Sequence, residues 1–243
     1  MTPPAKISDE YSKDDLQSRL DPLPFDFPDP PLLQLITYIN LFHKWNLEYK
    51  FSRAKTPDEI VSSLIIPSLL LGLLVDPKAI AVDLGTGPGI PGIPLRILYP
   101  DLRLTLIESS TKSTEFLGLV RNELDLANLE IVDGRAEVLA HNPDMHGQFN
   151  LALARSFAPL PVVAEIASGF LKPGGCLLVQ CSKETSSELP GSVEPGIVFD
   201  RLGAILQGSP DPMAQYFIRF RQMSATPSDF PRSWKKMKNR PIW

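Results

Sequence analysis

The chain has 243 residues, a formal net charge of −4 and a hydrophobic fraction of 43%, which suits one globular domain with a small appendage. Its acidic balance confines any nucleic-acid contact to a local basic patch. Its two cysteines, Cys176 and Cys181, stand five apart in one apolar stretch; they face opposite sides of a strand and make neither a disulfide framework nor a zinc site.

The apolar run Leu64 to Val75 is interrupted by Pro67, Ser68 and Gly72, so it reads as buried core and not as a membrane span. The start, Met1 to Lys6, lacks the apolar stretch of a secretion signal. A cytoplasmic location is the expectation.

Residues 1–30 are rich in proline, aspartate and serine. The runs Asp21-Pro22-Leu23-Pro24 and Pro28-Asp29-Pro30-Pro31 argue against regular structure there, so a flexible arm is expected. Residues 31–75 form a helical segment. Leu32, Leu35, Ile36, Ile39, Phe42 and Trp45 recur at helical spacing. A second helix begins near Thr56-Pro57-Asp58-Glu59, where Thr56 caps, Pro57 suits the first turn and Glu59 completes a capping box.

From residue 76 to 225 strands and helices alternate. Strands are read at Ala79 to Leu84, Leu102 to Ile107, Leu129 to Val132, Phe149 to Ala154 and Cys176 to Cys181. Helices cover Lys112 to Leu124 and Pro161 to Leu171. Ile197 to Phe199 and Tyr216 to Phe220 close an antiparallel edge. The pattern predicts an α/β fold with a doubly wound, mostly parallel, seven-stranded sheet and an N-terminal helical extension. Residues 226–243 form a basic tail with Arg232, Lys235, Lys236, Lys238 and Arg240, no acidic residue after Pro231, and the aromatic faces of Trp234 and Trp243. Such a tail is either a solvated, mobile end or a surface for an acidic partner.

The decisive motif follows the first strand: Asp83-Leu84-Gly85-Thr86-Gly87-Pro88-Gly89-Ile90-Pro91-Gly92. Glycines let the backbone turn sharply and approach a ligand closely, and the next helix directs its positive end at the same place. Gly87-x-Gly89-x-x-Gly92 also fits a dinucleotide fingerprint. Two details favour S-adenosylmethionine. A carboxylate at Asp83 suits an ammonium and sits badly beside a pyrophosphate. Pro88 and Pro91 remove N–H donors that a phosphate would need. Glu108, with Ser109 after it, ends the second strand, where an acid binds ribose hydroxyls. Arg135, Ala136 and Glu137 follow the third strand, on the adenine side. Arg155 follows the fourth, beside the transferred methyl; it is the catalytic candidate, where it orients a base or phosphate, and is counted with the cofactor-binding residues. No metal site is expected.

These residues resemble the ribosomal small-subunit methyltransferase G family, also called glucose-inhibited division protein B. The likeness rests on Tyr38-Ile39-Asn40-Leu41-Phe42-His43-Lys44-Trp45-Asn46, on Asp83 through Leu95, on Arg135-Ala136-Glu137 and on Ala154-Arg155-Ser156-Phe157-Ala158. It implies a class I methyltransferase fold and transfer of a methyl group to N7 of a guanine in 16S ribosomal RNA, with the RNA or the small subunit as partner and a single chain as the working unit. The sequence departs from the family on the acceptor side. Leu64-Ile65-Ile66-Pro67-Ser68 stands where the family carries His-x-x-Asp-Ser. Tyr49-Lys50-Phe51-Ser52 replaces Tyr-Asn-Leu-Thr, and Lys183 is displaced from the family's Lys-Gly pair. Two other functions therefore stay open: a paralogue that methylates a small molecule, and a non-catalytic module that binds S-adenosylmethionine or RNA.

Overall fold

The computed structural model describes residues 11–181, 192–193, 197–200 and 216–243. One sheet runs through it in the order β3-β2-β1-β4-β5-β8-β7-β6. The strands are β1 Ile80–Leu84, β2 Arg103–Glu108, β3 Leu129–Asp133, β4 Phe149–Arg155, β5 Leu171–Cys181, β6 Ser192–Val193, β7 Ile197–Asp200 and β8 Tyr216–Gln222. The first five are parallel, and β8, β7 and β6 add antiparallel pairings. The expected antiparallel edge is thus present. Among the described residues the sheet has eight strands, not seven, because the two-residue strand Ser192–Val193 pairs outside β7. Two residues are too short to leave an alternating pattern that a sequence can show.

Strand order reverses between β1 and β4, which opens a crevice at the carboxyl ends of the parallel strands. Side-chain alternation sorts each strand onto two cores. Ala81, Leu104, Leu106, Leu151, Leu153 and Leu178 face one, and Val82, Leu84, Ile107, Ala152, Ala154 and Val179 the other. The first face is covered by α1 Lys13–Leu20, α2 Asp29–Tyr49, α3 Pro57–Ile60, α4 Ile66–Leu71, α5 Gly92–Leu98 and α6 Thr111–Glu123. The second carries α7 Ala136–Leu139, α8 Leu160–Phe170 and α9 Trp234–Asn239. The N-terminal helices are therefore one layer of the domain. The helix that runs from Pro57 to Leu74 is the one stretch among the described residues long and apolar enough to cross a membrane; it lies 56% buried within this layer.

One expectation about the N-terminal end is corrected. Residues 13–20 are not part of a flexible arm but helix α1. Ser12 caps it by accepting from the Asp15 N–H at 3.1 Å, and Leu16 and Leu20 are fully buried. Tyr11 ties the same segment to Asn40 and Asp58. The prolines mark the ends of helices here. Pro22 follows the α1 terminus, and Pro30 and Pro31 occupy the first turn of α2, where a missing N–H costs nothing. Residues 1–10 lie outside the described part. Within the basic tail, Trp234–Asn239 forms α9, and Met237 is fully buried.

Thr56 caps α3 as expected, accepting from Glu59 N–H at 3.2 Å. The Glu59 carboxylate returns to the Lys55 N–H at 2.6 Å, one residue earlier than a capping box requires. Between α3 and α4 the helix widens to a π turn over Val61–Ile65, closed by the Ile66 N–H on Val61 O.

Candidate active site

The loop after β1 is built for tight passage. Gly85, Gly87 and Gly89 all have positive φ (59°, 58° and 97°), which L side chains adopt rarely. Three glycines are also crowded. A Cβ on Gly85 would come within 2.1 Å of the Phe157 ring, one on Gly89 within 2.3 Å of Ile93, and one on Gly92 within 2.7 Å of Asp83 and Leu106. Gly87 differs: nothing lies within 4 Å of its added carbon.

Asp83 lies under this loop with no exposure. Its Oδ2 accepts from Thr86 Oγ1 at 2.6 Å and from the Gly92 N–H at 2.9 Å. Its Oδ1 is buried without a hydrogen-bond partner. Burial pushes the carboxyl up to about 7, against the opposing pull of those two donors. The Tyr38 hydroxyl donates to Pro88 O at 2.8 Å, pinning the loop to α2. Burial, with Asp83 adding to it, drives the Tyr38 phenol well above its ordinary value, so this donor stays protonated.

Glu108 binds the loop from the next strand. Its Oε2 accepts from the Gly87 N–H, and its Oε1 from the N–H groups of Ser109 and Ser110, all at 2.8 Å. A carboxylate has about four lone-pair sites, so Glu108 keeps limited capacity for further donors. Glu137 is buried and accepts from Arg135 Nε at 2.6 Å. The Arg135 guanidinium also lies over the Trp234 ring, 5.2 Å from its centre.

A cavity of about 330 Å³ lies at the carboxyl ends of β1, β2 and β3. It is lined by Gly85, Ile107, Glu108, Ser109, Gly134, Arg135, Ala136 and Glu137, with Ser156, Phe157 and Trp234 completing it. Six residues singled out from the sequence thus converge on one cavity: Gly85, Glu108, Ser109, Arg135, Ala136 and Glu137. Asp83, Thr86, Gly87, Gly89 and Gly92 lie outside its wall and shape the loop. Ser156 holds φ at 51°, a left-handed conformation uncommon for a side-chain-bearing residue, directly before Phe157 meets Gly85. Phe157 and Trp234 were missed as cavity residues. The sequence shows two aromatic residues but not that β4 and α9 bring them to the β1 loop.

Arg155 does not line this cavity. It continues the face of Leu151 and Leu153 towards the N-terminal helices, and its Nη2 donates to Ser63 O at 2.9 Å. Burial lowers the guanidinium from its ordinary value, with Tyr38 opposing. Lys183 lies outside the described residues. Among the described residues no cluster of three His, Cys, Asp or Glu side chains is arranged to hold a metal.

A 3-2-1-4-5 parallel sheet, a glycine turn at its switch point and an acid at the end of the second strand define a class I S-adenosylmethionine-dependent methyltransferase. The family model for rRNA small subunit methyltransferase G (GidB) matches residues 32–193, and the chain belongs to that family. Among its relatives is the ribosomal RNA small subunit methyltransferase G of Acetivibrio thermocellus, 29% identical over 88% of this chain and 90% of that one. The protein of the same name from Alkaliphilus metalliredigens is 29% identical over 95% and 99%, and that from Stenotrophomonas maltophilia 37% over 66% and 74%. Of the solved structures, a mutant form of MtNAS matches with a TM-score of 0.51 at 14% identity, covering 87% of this chain and 82% of its own, which is a likeness of fold alone.

Proposed function

We propose that this chain methylates N7 of a guanine in 16S ribosomal RNA with S-adenosylmethionine as donor. The observation that carries the reading is the convergence of the β1 glycine turn, the Glu108 strand end and the Arg135-Ala136 turn on one cavity, in a member of this family. The site fits the cofactor by chemistry as well as place. The buried Asp83 Oδ1 has no protein partner, and the carboxyl lies under the loop, where its charge would favour an ammonium held by the turn above it. Glu108 can take ribose hydroxyls beside its backbone donors. Ser109, Arg135, Ala136 and Glu137 border the space for adenine, while Gly85, Thr86, Gly87, Gly89 and Gly92 bring the backbone close.

Bound S-adenosylmethionine supplies a methyl carbon activated by its sulfonium. Guanine N7 attacks with an exposed lone pair and carries no proton, so no general base is needed. The chain's task is then to bind, orient and exclude water, and orientation alone lowers such barriers substantially. Arg155 is the residue on the acceptor side that orients the base or an adjacent phosphate; the catalytic role proposed for it is positional and electrostatic. Lys235, Lys236, Lys238 and Arg240 are exposed and offer contacts to RNA backbone. The chain works as a monomer in the cytoplasm, where assembling small subunits are found.

A second reading has one observation behind it. Leu64 and Pro67, both buried, stand where the resemblance puts the family's histidine and aspartate, on the helix whose Ser63 O holds Arg155, which suits a less polar, small acceptor. Labelled S-adenosylmethionine incubated with undermodified small subunits separates the two. Label in 16S RNA supports the main reading. Confirmed cofactor binding without label in RNA overturns it.

A further inference from the structure

Trp234 belongs to the C-terminal tail, yet it forms part of the cavity wall with Ala136, Ile107 and Phe157. It is brought there by a dedicated latch two residues earlier. Arg232 donates from its backbone N–H and from Nε to Glu165 Oε1, each at 2.8 Å, and from Nη2 to Oε2 at 2.6 Å. Glu165 is fully buried. His141 Nε2 approaches Pro231 O at 2.8 Å, and Gly169 gives that proline room, since a Cβ there would lie 2.8 Å from the Pro231 ring. Met237 anchors the following turn. A buried acid spent on fixing a tail residue is a costly device, and what it fixes is the placement of one indole at the cavity.

We propose that Trp234 is a cofactor-contacting residue, an aromatic wall supplied by the tail against the adenosyl group. The inference rests on the cofactor reading above. An indole offers a flat apolar face to a purine ring, and Arg135 stacked on that indole holds it against rotation while Glu137 holds Arg135. Ile107, Ala136 and Phe157 are the other apolar residues that line the cavity. A cavity of about 330 Å³ that joins Ile107, Ala136, Phe157 and Trp234 to the polar Glu108, Ser109, Arg135 and Glu137 matches one nucleoside better than an extended dinucleotide.

Calorimetric titration of the full chain with S-adenosylhomocysteine tests this. Trp234→Ala is expected to weaken binding about tenfold with little change in melting temperature, and Trp234→Phe to restore most of the loss. Should the alanine variant fold poorly, fluorescence decides: the change in tryptophan emission on adding S-adenosylhomocysteine should largely vanish in Trp234→Phe while calorimetric binding persists. An alanine variant that folds and binds as tightly as the wild type, or an undiminished emission change in Trp234→Phe, overturns the inference alone. A wild-type chain that does not bind S-adenosylhomocysteine overturns the cofactor reading and this inference with it.

Discussion

Arg155 and Ser63 meet across 92 residues of chain, guanidinium to carbonyl at 2.9 Å. Ser63 O is available to Arg155 for a reason written in the sequence. Its α-helical partner would be the N–H of residue 67, and Pro67 has none. The π turn at Val61–Ile65 marks the same break, as π turns often do beside functional sites. A backbone carbonyl thus ties the arginine to the helix that Pro67 interrupts.

Pro67→Ala is therefore expected to return an N–H to Ser63 O and loosen Arg155. Turnover on RNA should fall several-fold while S-adenosylhomocysteine affinity stays unchanged. Arg155→Ala should cost about a hundredfold in turnover if the guanidinium orients the acceptor. Steady-state kinetics on small subunits, paired with calorimetry, check both.

The Asp83 carboxyl gives a pH signature. Its folded value, pushed up to about 7 by burial, lies above its unfolded one of 3.8. Its neutral form therefore supports the fold fully below the unfolded value. That support is lost as pH rises from there through about 7. A bound ammonium favours the charged form, so S-adenosylhomocysteine should bind more tightly as pH rises from 5.5 to 7.5, windows set by about the same pKa. Asp83→Asn should flatten both the stability profile and the affinity profile over that range. Thermal melts and titrations at several pH values measure this.

Two glycine variants should behave differently. Gly85→Ala puts a carbon into the Phe157 ring and should disrupt both the cavity and cofactor binding, by about tenfold or more. Gly87→Ala meets open space and should cost only the left-handed backbone strain, about 1 kcal/mol. The contrast reads out directly in paired melts and titrations.

The latch between Arg232 and Glu165 predicts a stability effect. Arg232→Ala leaves the Glu165 carboxylate buried without its cation and should destabilise the fold by about 3 kcal/mol. Denaturant unfolding measures it. The loss should exceed that of Lys235→Ala, since Lys235 is exposed.

Much of this was legible in the sequence. Hydrophobic runs mark β1 to β4 and the second half of β5, whose first residues Leu171 to Gly175 are hidden by Pro173, Gly174 and Gly175; the glycines and prolines mark the Asp83 to Gly92 loop. What was not legible depends on tertiary partners. Helix α1 is short and mostly polar; its Ser12 cap and one Leu16–Leu20 pair are too slight a signal by themselves, and its place is set by burial of those two leucines and the ties of Tyr11 to Asn40 and Asp58. The tail read equally well as mobile or as a binding surface, because nothing near residue 232 announces that Glu165 is waiting for it. Arg155 was placed at the right strand end, but its contact with Ser63 needs Pro67, which the sequence shows only as a helix breaker.

The central claim is N7 methylation of a single guanine. Undermodified small subunits treated with the enzyme and S-adenosylmethionine can be reduced with borohydride and cleaved with aniline, which breaks the RNA chain at 7-methylguanine. The account predicts one enzyme-dependent cleavage in 16S RNA, reduced in Gly85→Ala at limiting S-adenosylmethionine and strongly reduced in Arg155→Ala. Cofactor binding without any enzyme-dependent cleavage, or methyl label at an atom other than N7, would contradict it.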